Sequence, residues 1–188
     1  KEYPDVPIMA LTATARIDTV QDIQRRLGMR NALMLRQSFN RPNLTYRVCP
    51  KKRGGGTLDR IAAMIQEDHP NDCGIIYCLS RRDCENIASD LETKYGIRAR
   101  HFHAGLNTQD KLRIQEGWEA GTFKVIVATI AFGMGIDKAD VRFVIHHSMP
   151  KSLEGYYQET GRAGRDGKLS ECTLFWSCLL YTSPSPRD

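Results

Sequence analysis

The sequence predicts an α/β fold with a doubly wound parallel β-sheet. Short apolar runs typical of buried strands alternate with segments of about ten to fifteen residues in which apolar side chains recur at the helical period. Glycine, serine and asparagine residues, which favour turns and helix ends, separate these segments. Strands that alternate with helices in this way lie parallel, because each helix crosses from the end of one strand to the start of the next.

The N-terminal part of the chain contains shorter patterns. The apolar run at residues 7–13 predicts a buried strand. Apolar side chains at a helical period predict a helix over residues 16–27, and Gly28 provides its stop signal. Residues 33–35 and 44–48 are two further strand candidates, so this region is expected to contain three strands and one helix.

From residue 51 onward the alternation is regular. Residues 51–56 predict a basic, flexible loop, Thr57 is expected to cap the next helix, and Ser80 with Asp83 forms the start signal of another. The predicted elements are, in order, a helix at 57–68, a strand at 74–78, a helix at 80–94, a strand at 98–103, a helix at 107–120, strands at 124–129 and 141–146, a helix at 152–161 and a strand at 171–176. Ligands bind beyond the carboxyl ends of such strands, so the polar residues that follow each strand are candidates for function.

Composition excludes several classes of protein. The 188 residues include 41% hydrophobic and 26% charged residues, which is typical of a soluble globular protein. Neither a long apolar membrane span nor the apolar core of a signal peptide is present, and a start without Met suggests an internal fragment. The net charge of +5 is compatible with a nucleic-acid partner but does not establish one.

The cysteines argue for an intracellular protein without a metal site of its own. None of the six forms a Cys-x-x-Cys pair, and no histidine spacing completes a zinc site. Cys78 lies in an apolar run, where a buried reduced thiol is expected. No residue of the chain is therefore assigned to a metal.

A segment with two arginines among three glycines, residues 156–167, carries the strongest chemical signal. If residues 156–162 form a helix, the spacing of Arg162 and Arg165 places both guanidinium groups on one side. Two permanently charged, forked side chains held in this way suit the oxygens of a transferring phosphoryl group. A solvated basic turn is the alternative for an isolated Arg-x-x-Arg pair.

The same segment resembles the last conserved motif of superfamily 2 helicases, Gln-x-x-Gly-Arg-x-x-Arg, in the form found in RecQ DNA helicases. The resemblance runs over residues 1–177, and within the family it is strongest to the eukaryotic Bloom-syndrome-type helicases. It implies a RecA-like fold of the P-loop NTPase type, in which this chain supplies the second helicase lobe and the end of the first. Gln158 and Glu159 stand where DEAD-box RNA helicases have His-Arg, which argues against that family.

The resemblance implies that ATP binds between the two lobes. Arg162 and Arg165 are then expected to complete the ATP site as arginine fingers. Gln158 is expected to help position the attacking water or the γ-phosphate.

The loop after the strand at residues 124–129 adds further candidates. Thr129 ends the strand and can donate to a DNA phosphate, and Gly135 allows the loop to turn tightly beside the nucleotide. Asp137 can accept a hydrogen bond from a ribose hydroxyl, as the matching acid does in the wider superfamily. An Asp that merely caps a turn before Lys138 is the alternative.

Two other loops resemble the family's contacts to the DNA backbone. Ser80 and the first amides of the following helix form an anion site, to which Arg81 and Arg82 add charge. His103 precedes Ala-Gly, whose small side chains permit close approach of a phosphate. Considered without the resemblance, a lone histidine such as His103 is more often a hydrogen-bonded structural residue. Two arginines in a first helical turn are mildly unfavourable for the helix dipole, which favours phosphate binding over surface decoration.

The basic loop at residues 51–56 is a third candidate for a nucleic-acid contact. Lys51 and Lys52 stand next to Arg53 and three glycines. Related helicases place a loop near the 3′ overhang at this point, so the resemblance implies contact with tailed DNA. A solvated basic loop is the equal alternative.

The segment at residues 10–15 resembles the motif that follows the magnesium-binding acidic box in the family. Its threonines, Thr12 and Thr14, are expected to couple the state of the nucleotide to the grip on DNA. From the residues alone, an ordinary strand end followed by a helix-capping Thr14 is the alternative.

The chain lacks the parts of a complete motor. It contains no Gly-x-x-x-x-Gly-Lys-Ser/Thr sequence and no Asp-Glu pair for magnesium. We therefore expect residues 1–36 to end the first lobe, 37–50 to connect, 51–177 to form the second lobe, and 178–188 to be a disordered tail whose native origin stays open. The Mg²⁺ ligands would lie in the first lobe outside this chain, and zinc would be bound only in a region downstream.

The sequence thus predicts part of an ATP-dependent 3′–5′ DNA helicase that acts in recombination, replication and repair in the nucleus. Its expected partners are single-stranded and 3′-tailed DNA and the missing first lobe, with no membrane. Alone, the chain is not expected to hydrolyse ATP. The rival hypothesis is a non-catalytic nucleic-acid-binding module of an inactive helicase paralogue, and RNA is a weaker alternative substrate.

Overall fold

A computed structural model describes residues 6–12, 17–35, 38, 40–52, 54–133 and 137–177. The chain forms two compact units, Lys1–Arg41 and Pro42–Asp188. Within the described residues, no helix has the length and apolar character needed to cross a membrane.

The first unit contains one helix, α1, Ile17–Leu27, among its described residues. It ends where predicted, because Gly28 adopts a left-handed φ of 62° and its N–H donates to the Arg25 carbonyl at 3.1 Å. An exposed ion pair between Arg26 and Asp22, one turn apart at 2.6 Å, adds a few tenths of a kcal/mol (about 0.3–0.5) to the helix.

The two strands predicted in this unit are wrong for the described residues. Residues 7–12 and 33–35 have no regular structure and are exposed; Leu11 is 87% and Leu33 is 85% exposed. A buried strand needs a neighbouring strand for its backbone N–H and C=O groups, and no other strand occurs in the described part of this unit. Apolar composition alone therefore did not decide the structure here.

The second unit is built on a six-stranded parallel sheet with the order β1-β6-β5-β2-β4-β3. All five neighbouring pairs run parallel, as predicted. The strands are β1 Leu44–Pro50, β2 Cys73–Tyr77, β3 Ala99–Phe102, β4 Val125–Ala128, β5 Val141–His146 and β6 Ser170–Trp176, and the helices are α2 Gly56–Glu67, α3 Arg81–Tyr95, α4 Thr108–Glu119 and α5 Leu153–Thr160.

Both faces of the sheet are buried, which confirms the doubly wound arrangement. Alternate residues of one strand enter opposite cores: Ile76 packs on one face, and Ile75 and Tyr77 on the other. Leu91 of α3 belongs to the first core together with apolar residues of α2, whereas Trp118 of α4 belongs to the second. Continuous apolar strands are the expected consequence of burial on both sides.

Strand β1 joins the sheet at one edge. It pairs with β6 from Leu44↔Ser170 to Pro50↔Trp176 without a break in register. The strand predicted at residues 44–48 is therefore confirmed, and it lies in the second unit although the sequence assigns residues 37–50 to a connector. Because its pairing partner β6 lies far later in the sequence, no local signal shows that this strand belongs to the second unit.

The starts of most helices were also predicted correctly. The side chains of Ser80, Asn107 and Ser152 accept hydrogen bonds from N–H groups in the first turns of α3, α4 and α5. The cap predicted at Thr57 is wrong, because α2 begins after Gly55 at a left-handed φ of 89°. Thr57 instead forms hydrogen bonds with the backbone of residue 52.

Gly74 of β2 provides a test of how tightly the first core is packed. A methyl group added there would lie 2.1 Å from the Phe143 ring. We expect Gly74→Ala to lower the free energy of unfolding by about 1–3 kcal/mol, because the ring has to leave its packed position. Urea denaturation would measure the loss, and adding Phe143→Leu should recover part of it. Equal stability of Gly74→Ala and the unaltered chain would contradict the packing described here.

Candidate functional site

Several predicted site residues follow the carboxyl ends of adjacent strands. Ser80, His103 and Thr129 come after β2, β3 and β4, which are neighbours in the sheet. A cleft of about 270 Å³ opens at this edge, and its walls include Tyr77 of β2 and the Thr129 turn. In parallel sheets this edge is where ligands bind, so the position agrees with the expectation from sequence.

Arg81 also lines the cleft, where its guanidinium group meets the loop after β3. A methyl group placed on Gly105 would lie 3.0 Å from Arg81 Nη1 and 3.2 Å from His103 Nδ1. The small residue at position 105 therefore allows the arginine to approach this loop. Two motifs that are separate in the sequence, at residues 80–82 and 103–105, form one surface.

Ser80 and Arg82 lie at the exposed start of α3. The Ser80 hydroxyl oxygen accepts the N–H of Asp83 at 3.1 Å, which confirms its capping role. The N-terminal amides of this helix and the two arginines produce a positive end beside the cleft. Whether these residues contact nucleic acid stays a prediction from the resemblance.

His103 is buried instead of facing solvent. Its Nε2 lies 2.9 Å from Glu85 Oε1, and its Nδ1 has no hydrogen-bond partner among the described residues. The ring stacks on His101 with a centroid separation of 5.4 Å. Burial lowers the pKa of His101, with a further contribution from His103, so the neutral form of His101 is favoured at neutral pH.

Thr129 is half-buried and shapes the turn that follows β4. Its N–H donates to the Phe102 carbonyl at 3.2 Å, and its carbonyl accepts the N–H of Phe132 at 3.0 Å. Gly133 follows, whereas Gly135 lies outside the described residues. The turn brings this loop under the arginine segment.

The predicted helical spacing of the two arginines is wrong. Helix α5 ends at Thr160, and both arginines lie in consecutive turns that follow Gly161. Gly164 adopts a left-handed φ of 57° in these turns, which lets the chain reverse towards β6. The two side chains consequently point to different surroundings.

Arg162 is half-buried and turns inward. A methyl group on Gly133 would lie 2.2 Å from Arg162 Nη2, so the guanidinium group packs directly on this glycine. Arg162 Nε has no hydrogen-bond partner among the described residues. Burial raises the pKa of the neighbouring Tyr77, an effect that Arg162 opposes, and the Tyr77 hydroxyl donates to the Phe132 carbonyl at 3.1 Å.

Arg165 contacts Asp137, the other residue predicted to meet the nucleotide. Arg165 Nη1 donates to Asp137 Oδ1 at 2.8 Å, while the Asp137 side chain is 91% exposed. An exposed pair of this kind contributes at most about 1 kcal/mol, so a ligand can replace either partner at small cost. Gln158, on the exposed side of α5, completes the predicted nucleotide contacts.

A buried pair that the sequence did not indicate anchors α5 to the sheet. His146 at the end of β5 contacts Glu159 Oε2 through Nε2 at 2.7 Å, and both side chains are buried. The ring of His146 also stacks on Tyr77. The two residues are 13 positions apart, a separation that matches neither a helical nor a strand period, so no local pattern could reveal the pair.

Asn43 is a second residue that the sequence analysis did not identify. Its Nδ2 donates to the carbonyl groups of Gly164 and Lys168, both at 2.9 Å. Its own carbonyl accepts the N–H of Ser170 at 2.9 Å. Turn-forming composition is the sole signal that Asn43 gives, yet it fastens the arginine turns to the start of β1.

Below the same turns, Arg142 of β5 donates to Asp166 Oδ1 at 2.6 Å. This hydrogen bond is the first of the causes that lower the pKa of Asp166. Asp166 also accepts the N–H of Lys168, so one carboxylate joins a strand to the end of the arginine segment.

The lysines of the basic loop differ in their surroundings. Lys51 is partly buried beside Cys78 and Asp83, and burial lowers its pKa. The pKa of His147 is lowered to about 4, mainly by burial and secondly by the positive charge of Lys51. Lys52 is exposed and stays available to solvent.

In the first unit, Thr12 is exposed, and Thr14 lies outside the described residues.

Comparison with known proteins relates the second unit to a protein family. Residues 56–167 match the helicase conserved C-terminal domain. The chain is 56% identical over 175 residues to the ATP-dependent DNA helicase hus2/rqh1 of Schizosaccharomyces pombe, and the match covers 93% of this chain and 13% of that protein. It is 52% identical over 178 residues to the RecQ-like DNA helicase BLM of Xenopus laevis, covering 94% and 13%. The chain thus spans 13% of the length of these relatives.

Solved structures share the fold. Dbp5 of S. cerevisiae, bound to RNA and ADP BeF3, matches with a TM-score of 0.75 at 20% identity, over 88% of this chain and 44% of that one. Likeness at this level of identity concerns the fold, and it confirms the RecA-like α/β fold predicted for the second unit.

The buried pair between α5 and β5 generates a test. We expect Glu159→Ala to lower the free energy of unfolding by about 1–3 kcal/mol, because it leaves the His146 nitrogen buried without a partner. Glu154→Ala, an exposed glutamate on the same helix, is the matched control and should change stability little. Thermal and urea unfolding would compare the two variants, and equal effects would refute an anchoring role for the pair.

Proposed function

Since the chain belongs to the family of helicase conserved C-terminal domains, we propose that it forms the second RecA-like lobe of an ATP-dependent DNA helicase of the RecQ type. In this proposal residues 51–177 form the second lobe together with strand β1, which pairs with β6, and residues 1–36 end the first lobe. The identities of 56% and 52% to two DNA helicases support the type of motor. The whole protein would unwind DNA with 3′–5′ polarity during recombination, replication and repair in the nucleus.

One observation carries the proposal for the nucleotide site: the contact between Arg165 and Asp137. Arg165 is one of the residues that the motifs assign to the triphosphate, and Asp137 is the residue that they assign to the ribose. An exposed guanidinium group next to an exposed carboxylate offers a cation for phosphate oxygens and an acceptor for a sugar hydroxyl. Arg162 supplies a second positive charge from behind the loop that carries Gly133.

The proposed nucleotide is ATP with Mg²⁺. Arg165 and Arg162 would stabilise the negative charge that spreads over the γ-phosphoryl oxygens in the transition state, and Gln158 would orient the attacking water. The phosphate-binding loop of the Gly-x-x-x-x-Gly-Lys-Ser/Thr type and the magnesium ligands would come from the first lobe. Because arginines alone do not assemble this reaction, the chain by itself is not expected to hydrolyse ATP. Zinc would belong to a downstream region.

The proposed track for single-stranded or 3′-tailed DNA crosses the cleft at the carboxyl edge of the sheet. Arg81 and Thr129 both line this cleft, Ser80 and Arg82 flank Arg81 at the exposed start of α3, and Lys52 is exposed in the loop after β1. Positive side chains together with helix N–H groups favour phosphate over base contacts, so binding should depend on salt more than on sequence. In this proposal His103 does not contact DNA directly, because it is buried, and it packs beneath the loop that Arg81 approaches.

Replacement of Arg165 tests the catalytic role. In the full-length protein, Arg165→Ala should lower DNA-stimulated ATP hydrolysis by about a thousandfold or more, because a lost arginine finger removes charge stabilisation in the transition state. Affinity for DNA should change little. Steady-state ATPase assays and fluorescence anisotropy with tailed DNA would measure the two effects.

The matched control for this experiment is Arg113→Ala. Arg113 is also exposed and also contacts an aspartate, Asp110 at 4.0 Å, but it lies on α4. Unchanged turnover in Arg165→Ala, or an equal loss in both variants, would exclude the proposed role. Loss of DNA binding together with turnover would instead assign Arg165 to the DNA surface.

Replacement of Arg81 tests the DNA surface. Arg81→Ala should weaken binding of single-stranded DNA of any sequence and reduce the slope of log affinity against log salt by about one. Arg98→Ala is the matched control, since Arg98 is exposed but precedes β3 at the opposite edge of the sheet. Identical salt slopes for Arg81→Ala and the control would place the DNA elsewhere.

A further inference from the structure

Three potential metal ligands converge on the edge strand β3, outside the proposed nucleotide contacts. The carboxylate of Glu85 and the imidazoles of His101 and His103 each offer one ligand atom, and these atoms lie within 4.8 Å of one another. We propose that this cluster, the β3–α3 histidine cluster, binds a divalent transition-metal ion of the zinc class. The proposal is independent of the helicase assignment, because it depends on the geometry of these three residues.

Secondary structure holds the three side chains together. His101 and His103 are two residues apart at the end of β3, so a strand places them on the same face. Their rings are stacked, with 14° between the planes. Glu85 comes from α3, which packs on the same strand and brings its carboxylate to 2.9 Å from His103 Nε2. Two rigid elements thus position the cluster.

The distances fit one ion after a small adjustment. Ligand atoms bound to a single tetrahedral zinc lie roughly 3.3 Å apart, since metal–ligand distances are about 2.0–2.2 Å. Glu85 and His103 are already closer than this, so an ion would replace the proton that they share. The remaining approach, roughly 1.5 Å or less, can come from rotation of the half-buried His101 side chain and the exposed Glu85.

Burial and access both suit a bound ion. His103 is 5% exposed, so the fold would shield an ion bound at its Nε2, next to Glu85, from solvent on one side. The Glu85 side chain is 52% exposed and leaves an entrance from solvent. Open coordination positions would then be filled by water.

The donor set selects the ion. Two imidazole nitrogens and one carboxylate oxygen suit Zn²⁺ and the neighbouring transition metals, whereas Mg²⁺ and Ca²⁺ prefer oxygen alone. Cysteine pairs and zinc-type histidine spacings along the sequence do not indicate this cluster. A glutamate on a helix that crosses the strand carries no such spacing.

Titration of the metal-free chain with Co²⁺ and then Zn²⁺ tests the proposal. Cobalt bound by imidazole and carboxylate should give visible absorption that saturates at one ion per chain and disappears on addition of zinc. His101→Ala and Glu85→Gln should each weaken binding by about tenfold or more. Zinc should also raise the thermal unfolding midpoint of the unaltered chain, and this rise should be lost in both variants.

The matched control is His69→Ala. His69 also faces a carboxylate, with Nδ1 2.9 Å from Asp72 Oδ2, but it lies far along the sequence from the cluster. The control should retain cobalt binding. His101 and Glu85 are replaced in preference to the buried His103, so that circular dichroism can confirm folded variants.

Three outcomes would overturn the proposal. Binding that remains equally tight in folded His101→Ala and Glu85→Gln would place the ion elsewhere. Intense charge-transfer absorption from a cobalt–thiolate bond would assign the metal to cysteines. Absence of saturable binding would show that the cluster is held by the hydrogen bond between Glu85 and His103 alone.

Discussion

Parallel pairing of all six strands in the second unit is the constraint on which the other features depend. Parallel strands cannot be joined by tight turns, so each is followed by a crossover that covers a face of the sheet. The central strands β2 and β4 are therefore buried on both faces and almost wholly apolar. Chemistry is excluded from the body of the sheet and is confined to the loops at its ends, where successive strands deliver their following residues to a common edge.

Polar contacts then determine how these loops are held. The arginine turns contain few apolar side chains, and their position is set by Asn43, by the Arg142–Asp166 pair and by the His146–Glu159 pair under α5. Hydrogen bonds are directional, whereas apolar packing is not, so they fix the orientation of the turns. The side chains proposed to meet ATP are therefore positioned by residues that do not themselves touch it.

How well each feature could be predicted depends on how far apart in the sequence its interacting residues lie. The strand at Val141–His146 and the cap at Ser80 could be predicted from the sequence, because apolar periodicity and capping act within a few residues. The apolar run at residues 7–12 resembles a strand just as closely, but strand formation depends on a neighbour that local sequence does not contain. The turn at Arg162 was missed for a related reason, since α5 was extrapolated beyond the glycine that ends it.

In the candidate site, too, local motifs could be predicted from the sequence, whereas contacts between distant segments could not. Motif resemblance brought together Arg81, Thr129, Asp137 and Arg165, and the fold places the first two in one cleft and the last two in contact. Resemblance also assigned His103 to the surface, whereas burial gives it a different environment. Contacts between elements distant in sequence, such as Asn43 with the turn 121 residues later, follow from topology and not from composition.

Asn43 also connects the entry of the second unit to its arginine turns. It directly precedes an edge strand that pairs with β6 at seven positions. Its single side-chain amide donates to the carbonyls of both Gly164 and Lys168. The point at which the chain enters the second unit and the segment that carries its two candidate phosphate-binding arginines are therefore parts of one hydrogen-bonded assembly.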